Sequence, residues 1–187
     1  MSQKTWWIIP VTIILILFII LIILLVSKKK ERNTFTFPET FQVTSLIESP
    51  RDYDITDLVK VIGNKIMGYD TANITIYSNN SILNKYSTKD IELQAILYKN
   101  IVPHTYSLII REDPGVSLES IICHEMVHFD QNERGDLVME EKDNKLYFIW
   151  KGKKQIPLQS YASRPWEKEA SQRQWELWNE FKNLYYK

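Results

Sequence analysis

The stretch SIICHEMVHFDQ, Ser120 to Gln131, holds two of the chain's three histidines, four residues apart, with a glutamate directly after the first. On an α-helix residues four apart stack on one face, so His124 and His128 can offer two imidazole nitrogens to a single metal ion. Glu125 projects about 100° further round, where it can reach a water on such an ion without being a ligand, as a general base must. The helix is well signalled. Asp113-Pro114-Gly115 breaks the chain before it, Ser117 is a fit N-cap and Gly135 a fit terminator, so a helix is predicted from about Leu118 to Asn132. Ser117, Ser120 and Gln131 share the histidine sector, while Leu118, Ile122, Met126 and Phe129 form the opposite, apolar one. That face packs, and the histidine face is expected to line a polar cleft.

Outward from this helix the periodicity alternates between helix and strand. Upstream, Ile55, Leu58, Val59, Ile62 and Ile66 recur at helical spacing between Asp54 and Met67, with Gly68 as C-cap. NITIYS (Asn73–Ser78), LQAILYK (Leu93–Lys99) and YSLIIRE (Tyr106–Glu112) are β-branched and aromatic runs separated by polar turns. Downstream, LVMEE and KLYFIW read as a hairpin joined through Asp143-Asn144, followed by KKQIPL. Pro165 then suits the first turn of a C-terminal helix reaching about Tyr185. A small sheet, an active-site helix, a hairpin and a last helix make an α+β domain.

The first 30 residues are of another kind. IIPVTIILILFIILIILLV, Ile8 to Val26, is 19 residues without a charge, flanked by Trp6 and Trp7 on one side and Lys28 to Lys30 on the other. As a helix it is long enough for a hydrocarbon core of about 30 Å, and its flanks suit the two interfaces. A cleaved signal peptide fits less well, because the apolar region is long, Lys4 is the only base before it, and no small-residue cleavage site precedes Lys28. The expected organisation is a transmembrane anchor with its basic flank over 1–32, a linker over 33–49 and a catalytic domain over 50–187. The lysines after the span put that domain in the cytosol by the positive-inside rule, and they outweigh the sequons Asn73-Ile-Thr75 and Asn79-Asn80-Ser81.

Charge and cysteine usage narrow the partners. Lys4, Lys28 to Lys30 and Arg32 take five of the 23 basic residues and Glu31 one of the 23 acidic ones, which leaves 18 against 22 from Asn33 onward. A mildly acidic domain argues against nucleic acid, whose binding depends on clustered Lys and Arg. Cys123 is the only cysteine, so there is no internal disulfide and no thiolate metal cluster; within an apolar helix it reads as packing.

Catalytic zinc usually has three protein ligands. The extended pattern in which a Gly and a third His follow the motif is excluded by Gln131 and Arg134, and Asp130 and Glu133 point away from the histidine sector. In RPWEKEASQRQWELWNEFKNLYY two glutamates compete. Glu167 heads a stripe that continues through Ala170, Ser171, Gln174, Trp178, Phe181 and Tyr185, whereas Glu169 falls with Arg173, Glu176 and Glu180 on a solvated face. A carboxylate at the head of an apolar stripe needs compensation, which a metal supplies. The alternative for Glu167 is a first-turn carboxylate favoured by the helix dipole.

These residues resemble the gluzincin class of zinc metallopeptidases, in which a His-Glu-x-x-His helix is followed by a glutamate from a second helix. The resemblance rests on HEMVH and PWEKEA, the latter carrying the Glu-x-x-Ala pattern found around the third ligand in several such families. It implies a zincin-like fold of the compact, single-lobed minigluzincin kind, Zn2+ held by His124, His128 and Glu167, and Glu125 as base and proton shuttle. Several of these families have an Asp four residues after the ligand glutamate, orienting a zinc-bound histidine; here that place holds Ser171.

The function expected is hydrolysis of a peptide or protein substrate near a lipid bilayer. The substrate would lie extended along the edge of one of two strands, Leu93–Lys99 or Tyr106–Arg111, with Tyr161, Arg164 or His104 as a further donor to the developing oxyanion. The alternatives are an inactive, membrane-bound interaction protein that keeps the metal as a structural staple, and a scaffold without metal.

Overall fold

The computed structural model describes residues 19, 32–49, 53–89, 91–142, 145–155 and 161–186. Every element named below lies in the unit Thr34–Tyr185. The 8–26 run read as a membrane span lies, Ile19 excepted, outside the described residues, and among those described no helix is long and apolar enough to cross a membrane.

The unit is an α+β fold. Strand β1 (Phe41–Ser45) falls inside the stretch expected as a linker, so residues 33–49 are in part a piece of the sheet. Its side chains alternate buried and exposed from Phe41, but five residues with one fully buried apolar side chain leave little trace in sequence. Helix α1 (Ile55–Lys60) is capped by Asp54, which accepts the Thr56 N–H at 2.7 Å, and it continues as a π-helical segment (Val61–Ile66) up to Gly68, whose φ is 80°. Gly63 in that segment lies so close to Phe41 that a Cβ there would collide with the ring. The glycine lets the helix lie flat on β1.

Strand β2 (Ala72–Ser78), helix α2 (Asn80–Tyr86), strand β3 (Ala95–Lys99) and strand β4 (Thr105–Ile110) follow. They complete a mixed sheet of order β1-β2-β4-β3, parallel throughout except for β3, which runs antiparallel to β4 as an edge strand. Ile74 and Ile76 of β2 and Tyr106, Leu108 and Ile110 of β4 are buried. Helix α3 (Leu118–Glu133), capped by Ser117, packs against this sheet. Phe129 pins it there, meeting Phe41, Tyr69 and Tyr106 edge-on with centroids 6.4, 5.1 and 5.2 Å away.

Beyond α3, strands β5 (Leu137–Lys142), β6 (Lys145–Trp150) and β7 (Lys153–Gln155) form a separate antiparallel sheet. The expected turn at Asp143-Asn144 lies outside the described residues, but the pairing it joins is present from Leu137↔Trp150 to Lys142↔Lys145. Helix α4 (Pro165–Tyr185) starts at the predicted proline and crosses α3. An ionic clamp fixes the crossing. Asp130 accepts from Tyr69 Oη at 2.7 Å and from Arg134 and Arg173 at 2.6 Å each, and Glu169 accepts from the same two arginines at 2.8 and 3.3 Å. Trp166 is buried and stacks on Phe148 of β6 at 5.1 Å, joining the second sheet to the start of α4. Of the C-terminal aromatics, Phe181 and Tyr185 are likewise core, while Trp175 is exposed.

Candidate metal centre

Two helices supply the site. On α3 the four-residue spacing stacks His124 and His128 with ring centroids 4.8 Å apart, and the α3–α4 crossing brings the first turn of α4 over them. Glu167 Oε2 lies 3.0 Å from His124 Nε2 and 3.4 Å from His128 Nε2. One donor atom from each of the three residues thus falls within 4.8 Å of the others. Donors around a tetrahedral zinc, each about 2 Å from the ion, stand roughly 3.3 Å apart; the two Glu167–imidazole separations are close to that, while the overall spread of 4.8 Å is wider, so the set can hold such a metal after a small inward shift.

The electrostatics point the same way. Burial alone would raise the Glu167 carboxyl, but hydrogen bonds from His124 and His128, the charge of His128 and a hydrogen bond from Tyr161 outweigh it and hold the group well below the usual carboxylate range. Burial lowers the His128 imidazole, yet the hydrogen bond and charge of Glu167, with the charge of Glu125, raise it to about 9. Without a cation the charge of His128 is the main balance for the buried carboxylate. A divalent ion can take over that role.

The outward nitrogens of both imidazoles are engaged. His124 Nδ1–H donates to Gln174 Oε1 at 3.1 Å, and His128 Nδ1–H donates to Gln131 Oε1 at 2.8 Å; Gln131 Nε2 in turn donates to the Trp166 carbonyl at 3.0 Å. Ser171, four residues after Glu167, is exposed. The glutamines were not recognised as partners from the sequence. The signal was present, since Gln131 falls in the histidine sector of its helix and Gln174 on the stripe headed by Glu167.

Glu125 stands apart from the cluster. Its Oε2 accepts the Leu97 N–H of edge strand β3 at 2.8 Å. The bonds Arg111 N–H to Gln94 O and Asn100 N–H to Thr105 O bracket the β3–β4 ladder, so Ile96 and Tyr98 bond to β4 while Ala95, Leu97 and Lys99 turn their backbone groups to the open edge. Of the two strands considered for substrate, β3 is therefore the edge and β4 is interior. Burial raises the Glu125 carboxyl, the nearby histidine charges lower it and Glu167 raises it again; the net displacement is upward.

Cavities flank Glu125 and Tyr161 on both sides. One, of about 330 Å³, lies toward His128 and is walled by Leu97, Leu137, Met139, Phe148 and Trp166; the other, of about 440 Å³, lies toward His124 and is walled by Leu93, Val116, Ile121 and Gln174. Tyr161, in a 3-10 turn (Tyr161–Ser163), places Oη 3.3 Å from His124 Nε2. Burial and the charges of Glu167 and Glu125 drive its phenol above the ordinary range, so it stays a donor. Arg164 lines the first cavity with its guanidinium over Phe148 and Tyr161.

The remaining candidates lie elsewhere. His104 pairs with Glu133 at 2.7 Å, Glu133 also accepts from Tyr106 Oη, and Asp130 and Glu169 belong to the ionic clamp. Cys123 is buried within α3. The chain matches no family model, no curated protein and no solved structure.

Proposed function

We propose that the Thr34–Tyr185 unit is a zincin-like, gluzincin-type zinc metallopeptidase domain, held at a membrane on its cytosolic side by residues 8–26. The observation that carries this reading is the convergence of His124, His128 and Glu167 from two helices beside a glutamate that bridges to an open strand edge. A zinc ion held by His124, His128 and Glu167 would supply Lewis acidity, enough to make a water nucleophilic near neutral pH and to polarise a peptide carbonyl.

The chain's own groups do the rest. An extended peptide pairs with the outward backbone groups of Ala95 and Lys99 and with the Leu97 carbonyl, its side chains entering the cavities on either side. Glu125 takes a proton from the attacking water and returns it to the amine nitrogen as the C–N bond breaks. Tyr161 donates to the carbonyl oxygen as negative charge grows there. Both cavities mix apolar walls with polar groups, Lys85 and Arg164 in the first and Glu92 and Gln94 in the second, so side chains with an apolar body and a polar tip suit them.

The test is metal analysis and peptide cleavage on the purified full chain. One zinc per chain is expected, with Glu125→Gln keeping the metal and losing cleavage. A folded chain that contains no zinc when purified without chelator, or a Glu125→Gln variant that cleaves as fast as the parent, refutes the reading. Retained metal with no cleavage of any peptide by the parent chain points to the inactive interaction protein instead.

A further inference from the structure

We infer that Gln131 is a positioning residue that presents His128 to the metal through Nε2 alone and ties that presentation to the seat of Glu167. The inference rests on the assignment of His124, His128 and Glu167 as ligands.

Gln131 is 0% exposed, so neither end of its amide has water to fall back on. Its Nε2 faces the Trp166 carbonyl, which can only accept, and this fixes the direction of the amide. Oε1 must then face His128, and an amide oxygen can only accept, so the proton belongs on His128 Nδ1. Nε2 is left as the nitrogen for the metal, and it is the one that faces Glu167. Reversing the amide would set its oxygen against the Trp166 carbonyl oxygen in a site without solvent, a bond lost whichever tautomer His128 adopts.

The far end of this relay is the backbone of the residue immediately before Glu167. A single side chain therefore joins the histidine ligand on α3 to the turn that carries the carboxylate ligand on α4. If the start of α4 shifts, the amide that accepts the His128 Nδ1 proton loses its anchor as His128 loses its carboxylate neighbour. Gln174 has no such double engagement. It is half-buried, and its oxygen serves His124 from the same helix that carries Glu167.

The test uses the full chain and Zn2+ itself, with the dissociation constant read by competition against a chelating dye. Gln131→Met keeps the length and removes both polar ends; it is expected to weaken zinc binding roughly 10- to 100-fold. Gln174→Met is expected to weaken it by about tenfold or less, because water can replace a half-exposed amide. An unchanged constant in Gln131→Met, even with lowered thermal stability, marks a merely structural residue and overturns the inference. A measurement on the parent needs no variant: nitrogen NMR of labelled, zinc-loaded chain should show His128 protonated at Nδ1 and metal-shifted at Nε2. Coordination through Nδ1 overturns the inference while leaving the metal site standing. A parent chain that binds no zinc overturns the ligand assignment and the inference with it.

Discussion

Exchanging each of the two competing glutamates for alanine separates the metal from the scaffold. Glu167 lies within 3.4 Å of both histidine nitrogens, whereas Glu169, two residues on, meets only the arginines of the clamp. Zinc that binds the folded chain and not the unfolded one adds about 2.7 kcal/mol at a hundredfold excess over its dissociation constant. For a unit of roughly 150 residues, each kcal/mol moves the melting temperature by about 2–4 °C, so zinc should raise it by roughly 5–11 °C over chelated protein. Glu167→Ala removes one of three donors and should abolish most of that shift. Glu169→Ala should keep the shift whole and lower both curves together, by no more than about 1 kcal/mol, because its partners are partly solvated and remain paired with Asp130. Differential scanning calorimetry with zinc and with chelator reads both quantities. A zinc shift that survives Glu167→Ala, or disappears in Glu169→Ala, refutes the assignment of the third ligand.

Other perturbations probe the frame around the site. Gly63→Ala should cost about 1–3 kcal/mol in urea unfolding, since the added methyl meets Phe41 inside the core. Asp130→Ala removes the acceptor for Tyr69 and two arginines; chemical denaturation should show a loss of about 1.5–3 kcal/mol, the arginines being exposed enough to turn to water. Burial and the charge of Glu119 push the Cys123 thiol up to about 12, so at pH 8 a thiol reagent should react only as fast as the chain unfolds. Prompt labelling of the folded chain would place Cys123 outside the core.

The local part of this architecture was readable from residue order. The limits of α3 and the proline start of α4 follow from cap and breaker residues, and the placing of Glu167 rather than Glu169 beside the histidines follows from helical spacing; all depend on near neighbours. What escaped depends on distant pairing or on short elements. Strand β1 is recognisable only once Phe41 lies against Gly63, and α2 buries only Leu83, too little to show a face. That β3 rather than β4 forms the edge is set by pairing of β4 with β2, across more than 30 residues of chain. Glutamine as the partner of each imidazole could be placed on the right helix face, but its bond to Trp166 needs the two helices crossed.

Four consecutive residues of α3 serve four different partners. His128 faces the carboxylate, Phe129 the sheet, Asp130 the arginines and Gln131 the backbone of α4. Each step along the chain turns the helix by about 100°, so one inserted or deleted residue between Met126 and His128 would rotate all four out of place together. This segment should therefore tolerate no change in length. Surface turns such as Asn100 to Pro103, where Ile101 and Val102 are already in solvent, can lengthen or shorten without the site noticing.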